Sequence, residues 1–353
     1  MSRVVLGAAT TVLALNGVGC TSSSRPAVAD VRHHYFDESG TALAQWDFIW
    51  DGLSAYFDAA TPDRIVVRHK SGGSTSQFDP QTDSILLTSA TEDSVEVAAH
   101  ESTHLCMFHL THGASDTTQF RFFDEGFANI MGYEIAGDGA LYQQAALQVA
   151  AISNQQGNVS FAQVQDWSTY FGDPESSAGA NWNAYDVGAS FDYMIRDNKG
   201  EQALHDFFAD IGITQDLGQT FTRLFSATEA DIEQEWLAYL ANVTVDQSAP
   251  TVVEMSPSND AAAVPVATTE LSVKFNVAMQ HQVCISTPCG DTGVCYTNAY
   301  WKDLDVLAVK VDGALKAGYQ YYLTLGSEAH GCPLKSYAGV PLPYIDWSFT
   351  AGD

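Results

Sequence analysis

The pentapeptide His100-Glu101-Ser102-Thr103-His104 gathers more chemically capable side chains than any other stretch of the sequence. On a helix, residues four apart share one face, so both imidazoles can reach a single cation, and neutral imidazole is a good zinc ligand. Glu101 then projects beside the cation. There its carboxylate can take a proton from a water that attacks a carbonyl carbon. A surface helix that holds two histidines by coincidence is the bland alternative, but chance yields only about 0.01 such patterns in a chain of this composition. A zinc ion that works on a substrate needs a third protein ligand and one open position. Phe122-Phe123-Asp124-Glu125-Gly126-Phe127-Ala128 offers two carboxylates, of which Glu125 follows the second histidine after 20 intervening residues. Neighbouring helical residues point about 100° apart, so Asp124 and Glu125 are rivals for one role. His109 and His112 lie closer in sequence, but read as helix-end or loop histidines.

The segment around Glu125 resembles the E-G-x-A segment of gluzincins, the clan of thermolysin-like and membrane alanyl aminopeptidase-like enzymes. That resemblance implies Glu125 as the third ligand. The metzincin pattern fails, because Met107 and Leu110 stand where its glycine and third histidine belong. Tyr185-Asp186-Val187-Gly188 resembles the Y-x-x-G segment of the aminopeptidase branch, which implies Tyr185 as the donor to a developing oxyanion. His205 and Tyr193 are alternatives for that part, and a core aromatic is the plain reading of Tyr185. Asn129, one turn beyond Glu125, is a candidate brace for a ligand. The resemblance covers Val31 to Leu240. No G-x-M-E-N-like stretch precedes the motif helix, so an aminopeptidase is unsupported and an endopeptidase or an orphan gluzincin is expected. What the family implies is a zincin-like α+β catalytic domain holding one zinc, with a peptide or protein as substrate.

The elements that must position these residues are legible in outline. Leu43 to Ala59 has the apolar spacing of an amphipathic helix, Arg64 to His69 and Ser84 to Thr88 read as strands, and Gly72 to Asp83 reads as loop. Thr91 is a suitable N-cap for the motif helix, with Glu92 and Asp93 complementing its positive end. From Phe120 to Ala241 the pattern is mostly helical. At Thr244 to Pro257 the texture changes to a linker followed by short alternating segments such as Leu271 to Phe275 and Tyr319 to Leu325, which predict an all-β module. The expected boundaries are 1–20 for a signal peptide, 21–30 for a tether, 31–243 for the catalytic domain, 244–250 for a linker and 251–353 for a β-sandwich.

Ala249-Pro250-Thr251-Val252-Val253-Glu254-Met255-Ser256-Pro257, Leu271-Ser272-Val273-Lys274-Phe275 and Trp347-Ser348-Phe349-Thr350 together resemble a bacterial Ig-like domain of the S-layer-associated type. The resemblance implies a spacer or adhesion unit without catalysis. Cys284, Cys289, Cys295 and Cys332 cluster in this module and lack paired C-x-x-C spacing, so two disulfides are expected rather than a structural zinc site. Their pairing stays open.

With 15 Lys and Arg against 43 Asp and Glu, the formal net charge is -28. That balance argues against nucleic acid or anionic lipid as a partner and suits a solvated, exported surface. Arg3 followed by the apolar run Val4 to Leu15 reads as an export signal. Gly17-Val18-Gly19-Cys20 resembles a lipobox, although Gly17 replaces the usual leucine. It implies a lipid anchor on Cys20 at the membrane of the cell envelope, with plain signal cleavage and secretion as the alternative. The functional expectation is an extracytoplasmic zinc peptidase. An inactive surface adhesion protein and a zinc hydrolase of a non-peptide substrate are the competing readings.

Overall fold

The computed structural model describes residues 32–70, 76–88, 94–172, 180–280, 285–286, 296–326 and 333–352. Cys20, Cys284, Cys289, Cys295 and Cys332 lie outside these, as do Thr91, Glu92 and Asp93. By its internal contacts the chain divides into Met1–Arg32 and His33–Asp353, and the second unit carries all the features below.

A small mixed sheet begins it. Strands β1 (Tyr35–Asp37), β2 (Ile65–Lys70), β3 (Gln77–Asp79) and β4 (Ser84–Thr88) lie in the order β1-β2-β4-β3, with the first three of that order parallel and β3 antiparallel to β4. β3 falls where the sequence reads as loop. Its one apolar residue, Phe78, is buried against the ring of Phe108, and polar neighbours hide so short a strand from pattern reading. Helix α1 (Asp47–Phe57) sends Ile49, Leu53 and Phe57 into the core.

Among the described residues, further α-helices follow: α2 (Val95–Leu110), α3 (Arg121–Ala136), α4 (Gly139–Gln155), α5 (Phe161–Val164), α6 (Trp167–Phe171), α7 (Asn183–Lys199), α8 (Glu201–Thr214), α9 (Leu217–Phe225) and α10 (Glu229–Ala241). Helix α2 carries the metal motif and starts three residues later than Thr91 would require. Ser94 caps it, its side chain accepting from the Val97 amide at 3.2 Å. Only the edges of α2 see solvent, with the nine residues Ala98, Ala99 and Glu101 to Met107 buried. The two central residues of the motif serve this burial. Thr103 turns its hydroxyl back to the Ala99 carbonyl at 2.8 Å, and Ser102 does the same to Ala98 while accepting from Tyr35 of β1. A buried hydroxyl left unbonded would cost about 1–3 kcal/mol, so these bonds let polar residues occupy a core helix.

Helix α3 runs between α2 and α7 and meets each through glycine. A Cβ on Gly132 would lie 3.4 Å from the Cβ of His100, and a Cβ on Gly126 would lie 2.2 Å from the backbone of Gly188. No side chain fits between α3 and α7 at that crossing. The glycines of the E-G and Y-x-x-G segments are therefore one structural contact, and it brings Glu125 and Tyr185 toward each other.

The C-terminal part is a β-sandwich. Strands β5 (Val252–Ser256), β7 (Glu270–Phe275), β10 (Val306–Val311) and β9 (Tyr296–Asp303) form one sheet in that order. The second sheet runs β6 (Ala261–Val264), β12 (Ile345–Ala351), β11 (Gln320–Leu325) and β8 (Ile285–Ser286). Leu271, Val309, Leu323, Trp347 and Phe349 fill the space between. The architecture is thus a small mixed sheet with a helical subdomain, then an all-β sandwich, as the sequence predicts. Among the described residues no helix is long and apolar enough to cross a membrane.

Candidate metal centre

His100 Nε2, His104 Nε2 and one oxygen of Glu125 converge at the crossing of α2 and α3. The separations are 3.0 Å between the imidazole nitrogens, 3.1 Å from His104 to Glu125 Oε2 and 3.4 Å from His100 to the same oxygen. Ligands of a tetrahedral zinc at about 2.0–2.1 Å stand roughly 3.3 Å apart, so the triangle already has the size that such an ion requires. Two imidazoles and a carboxylate are also the donor set of catalytic zinc sites that keep an open position. Among the described residues this is the group of three that could hold a metal ion.

Asp124 and Glu125, rivals in the sequence, divide the work. Asp124 accepts from His104 Nδ1 at 2.8 Å, on the far side of the ring from the metal position. This carboxylate fixes the ring and its tautomer and leaves Nε2 free to ligate. Glu125 presents Oε2 to the histidines, and Arg121 takes its other oxygen through Nε at 2.7 Å. Arg121 also reaches Asp116 at 2.8 Å and Asp124 at 3.6 Å. Sequence reading missed Arg121. The i, i+4 spacing from Arg121 to Glu125 was the available signal, but such pairs abound on helix surfaces.

The electrostatics follow from this packing. Burial pushes the Glu125 carboxyl up, but Arg121 and His104 outweigh it and hold the group well below the usual carboxylate range. Burial opposes protonation of His104, yet Asp124 and Glu125 push it up to about 10. A cation held by these atoms would have to displace that proton. Glu101 is 6 % exposed, and burial raises its carboxyl, with His100 and His104 pulling the other way. A carboxylate raised in this manner is a better proton acceptor than one in water.

His100, Glu101 and Tyr185 line one groove of about 850 Å³, together with Glu96, Tyr133 and Asp186. The Tyr185 ring lies 6.1 Å from that of His100 and is enclosed by Trp167, Phe171 and Trp182. Burial pushes its hydroxyl well above the usual value, so it stays protonated and able to donate. The alternatives lie elsewhere. Tyr193 is fully buried two turns further along α7 under Arg196, and His205 on α8 packs against Tyr56, neither lining this groove. Asn129 does line it, and its amide nitrogen donates to the Tyr142 hydroxyl at 3.1 Å. His109 pairs with Asp83 at the exposed end of α2, and His112 lies in the turn beyond, with φ +52°.

The model of a bacterial Ig-like domain family matches residues 246–351. No curated protein matches the chain. Among solved structures, the M1 zinc metallopeptidase from Deinococcus radiodurans is similar at 15% identity over 61% of this chain and 49% of that one, with a TM-score of 0.37. The S-layer protein rSbsC is similar at 13% identity over 71% of this chain and 33% of that one, with a TM-score of 0.22. An LD transpeptidase in complex with imipenem matches at 20% identity over 30% of this chain and 41% of that one, with a TM-score of 0.20. This chain spans less than half the length of each of these three proteins.

Proposed function

We propose that the chain is a zinc peptidase that works outside the cytoplasm, with His100, His104 and Glu125 as ligands. The observation that carries this reading is the His-His-Glu triangle with Glu101 beside it, buried at the wall of a groove large enough for a substrate. Zinc bound by these residues supplies a Lewis acid that polarises a carbonyl and lowers the pKa of water. Glu101 takes the proton from the attacking water and later passes it to the leaving amine. The Tyr185 hydroxyl donates to the oxygen on which negative charge develops, and its aromatic enclosure keeps that donor in place without reorganisation. Asp124 and Arg121 do not touch the substrate. They position His104 and Glu125.

The Ig-like module and the expected signal segment support a cell-surface location, with Cys20 as the lipid attachment point. An intact Glu101 counts against an inactive adhesion protein, because a binding module has no chemical use for a buried base at a metal triangle. A non-peptide ester would be served by the same water activation. The deciding experiment is hydrolysis of short quenched fluorescent peptides and of simple esters by the zinc-loaded chain and by Glu101→Gln. Peptide cleavage that falls by at least a hundredfold in Glu101→Gln supports the reading, and ester cleavage without peptide cleavage replaces it.

A further inference from the structure

The β-sandwich does not hang from a free linker. Ala278 and Leu304, both from the sandwich, are buried within the core of the catalytic part, and Tyr337 packs against that core. The Asp246 amide donates to Gln148 of α4 at 2.8 Å, which fixes the start of the module. Two of its segments then reach the groove together. The Gln280 amide donates to the Lys335 carbonyl at 2.8 Å and the Tyr337 amide to the Ala278 carbonyl at 3.2 Å, so residues 278–280 and 335–337 form a short paired ribbon. Gln280 and Tyr337, from its two arms, both line the groove that holds His100, Glu101 and Tyr185.

The position of this ribbon along the groove can be read from its neighbours. The Tyr337 hydroxyl is hydrogen-bonded to that of Tyr133 on α3 and lies in the field of Asp186 and Glu96. Glu96 stands one turn of α2 before His100, about 6 Å along the helix axis. An extended peptide advances about 3.3–3.6 Å per residue. A chain laid from the metal position along this wall therefore draws level with Glu96, which lines the same groove as Tyr337, after about two residues.

We propose that the docked Ig-like module is the end wall of the groove, and that Tyr337, with Gln280, is a specificity-determining residue that limits substrates to short peptides or chain ends. This rests on the peptidase reading above. A groove for the interior of a long chain must let that chain leave at both ends, and a ribbon whose two arms line the groove would, as an end wall, close one of them. The groove volume of about 850 Å³ also falls within the roughly 300–1,000 Å³ typical of sites for small ligands.

The test uses two nested series of quenched fluorescent peptides, one lengthened a residue at a time toward the N-terminus and the other toward the C-terminus. Values of kcat/KM are measured for the zinc-loaded full chain, and dissociation constants for the same peptides on zinc-loaded Glu101→Gln. In one series alone, both quantities should worsen at least tenfold between the second and third added residue. Tyr337→Ala and Gln280→Ala should flatten that step. Tyr337→Phe, which keeps the ring and loses the bond to Tyr133, should retain it, and melting temperatures report whether each variant is folded. Two flat series, or a step that survives in both alanine variants, overturn the end wall while leaving the peptidase reading intact. A step seen in binding without any turnover overturns the peptidase reading and keeps the wall. Absence of binding at every length overturns both.

Discussion

Replacing Gly126 by alanine places a methyl group where the backbone of Gly188 already stands. The added Cβ would lie 2.2 Å from the Gly188 carbonyl carbon and 2.3 Å from the Ala189 nitrogen, both backbone atoms that no rotamer change can move. An ordinary contact needs 3.4 Å or more, so α3 and α7 must part by about 1 Å. Overpacking of this kind costs about 1–3 kcal/mol, and a backbone neighbour puts this site at the upper end. Glu125 is the residue before Gly126, and zinc sites tolerate only about ±0.2 Å in their ligand distances. A 1 Å shift therefore exceeds that tolerance, and zinc affinity should fall at least tenfold, or about 1.4 kcal/mol. Urea unfolding of the metal-free chain reads the first effect, and zinc competition with a chelator reads the second. Gly218→Ala is the control, because its nearest neighbour is the flexible Glu229 carboxylate at 3.1 Å, and alanine favours a helix. A Gly126→Ala chain that unfolds at the wild-type midpoint would rule out a tight crossing of α3 and α7. Lower stability with unchanged zinc affinity would mean that the crossing is not what places Glu125.

Two further perturbations follow from the same geometry. Asp124→Ala removes the partner of His104 Nδ1 and should lower metal affinity by about 10- to 100-fold, measured by the same competition; unchanged affinity would mean that the ring is oriented by packing alone. Burial raises the Asp186 carboxyl to about 7, with Tyr142 as hydrogen-bond partner. Its folded pKa lies above its unfolded one, so its contribution to stability is complete below about pH 4 and is lost as the pH rises through about 7. The swing is on the order of 4 kcal/mol. Asp186→Asn should flatten the stability profile across that window, and a slope as steep as that of the wild type in chemical denaturation would contradict the assignment.

The sequence was most informative where spacing alone carries geometry. A spacing of four positions between two histidines makes one helix face, and alternation in Leu271 to Phe275 makes a strand, because both depend only on local periodicity. What stayed hidden depends on neighbours distant in sequence. The division of labour between Asp124 and Glu125 was invisible, since it depends on which carboxylate meets the outer nitrogen of a ring 20 residues away. Gly126 and Gly188 read as motif letters, and their mutual contact appears only once α3 crosses α7. The helix start shifted from Thr91 to Ser94 because both are good caps and local preference cannot rank them. Tyr337 gave no signal at all: its place at the groove follows from how the sandwich docks, which no periodicity encodes. The cysteine pairing expected from Cys284, Cys289, Cys295 and Cys332 falls outside the described residues.

On the reading proposed above, the His-His-Glu triangle is a zinc site. That assignment is tested most directly by mass-spectrometric metal content of the purified full chain, prepared without chelator, beside Glu125→Ala and Glu101→Gln. About one zinc per chain is expected in the wild type and in Glu101→Gln, and little in Glu125→Ala, because only Glu125 offers an oxygen to the triangle. Wild-type protein without zinc, or zinc retained in full by Glu125→Ala, would contradict it.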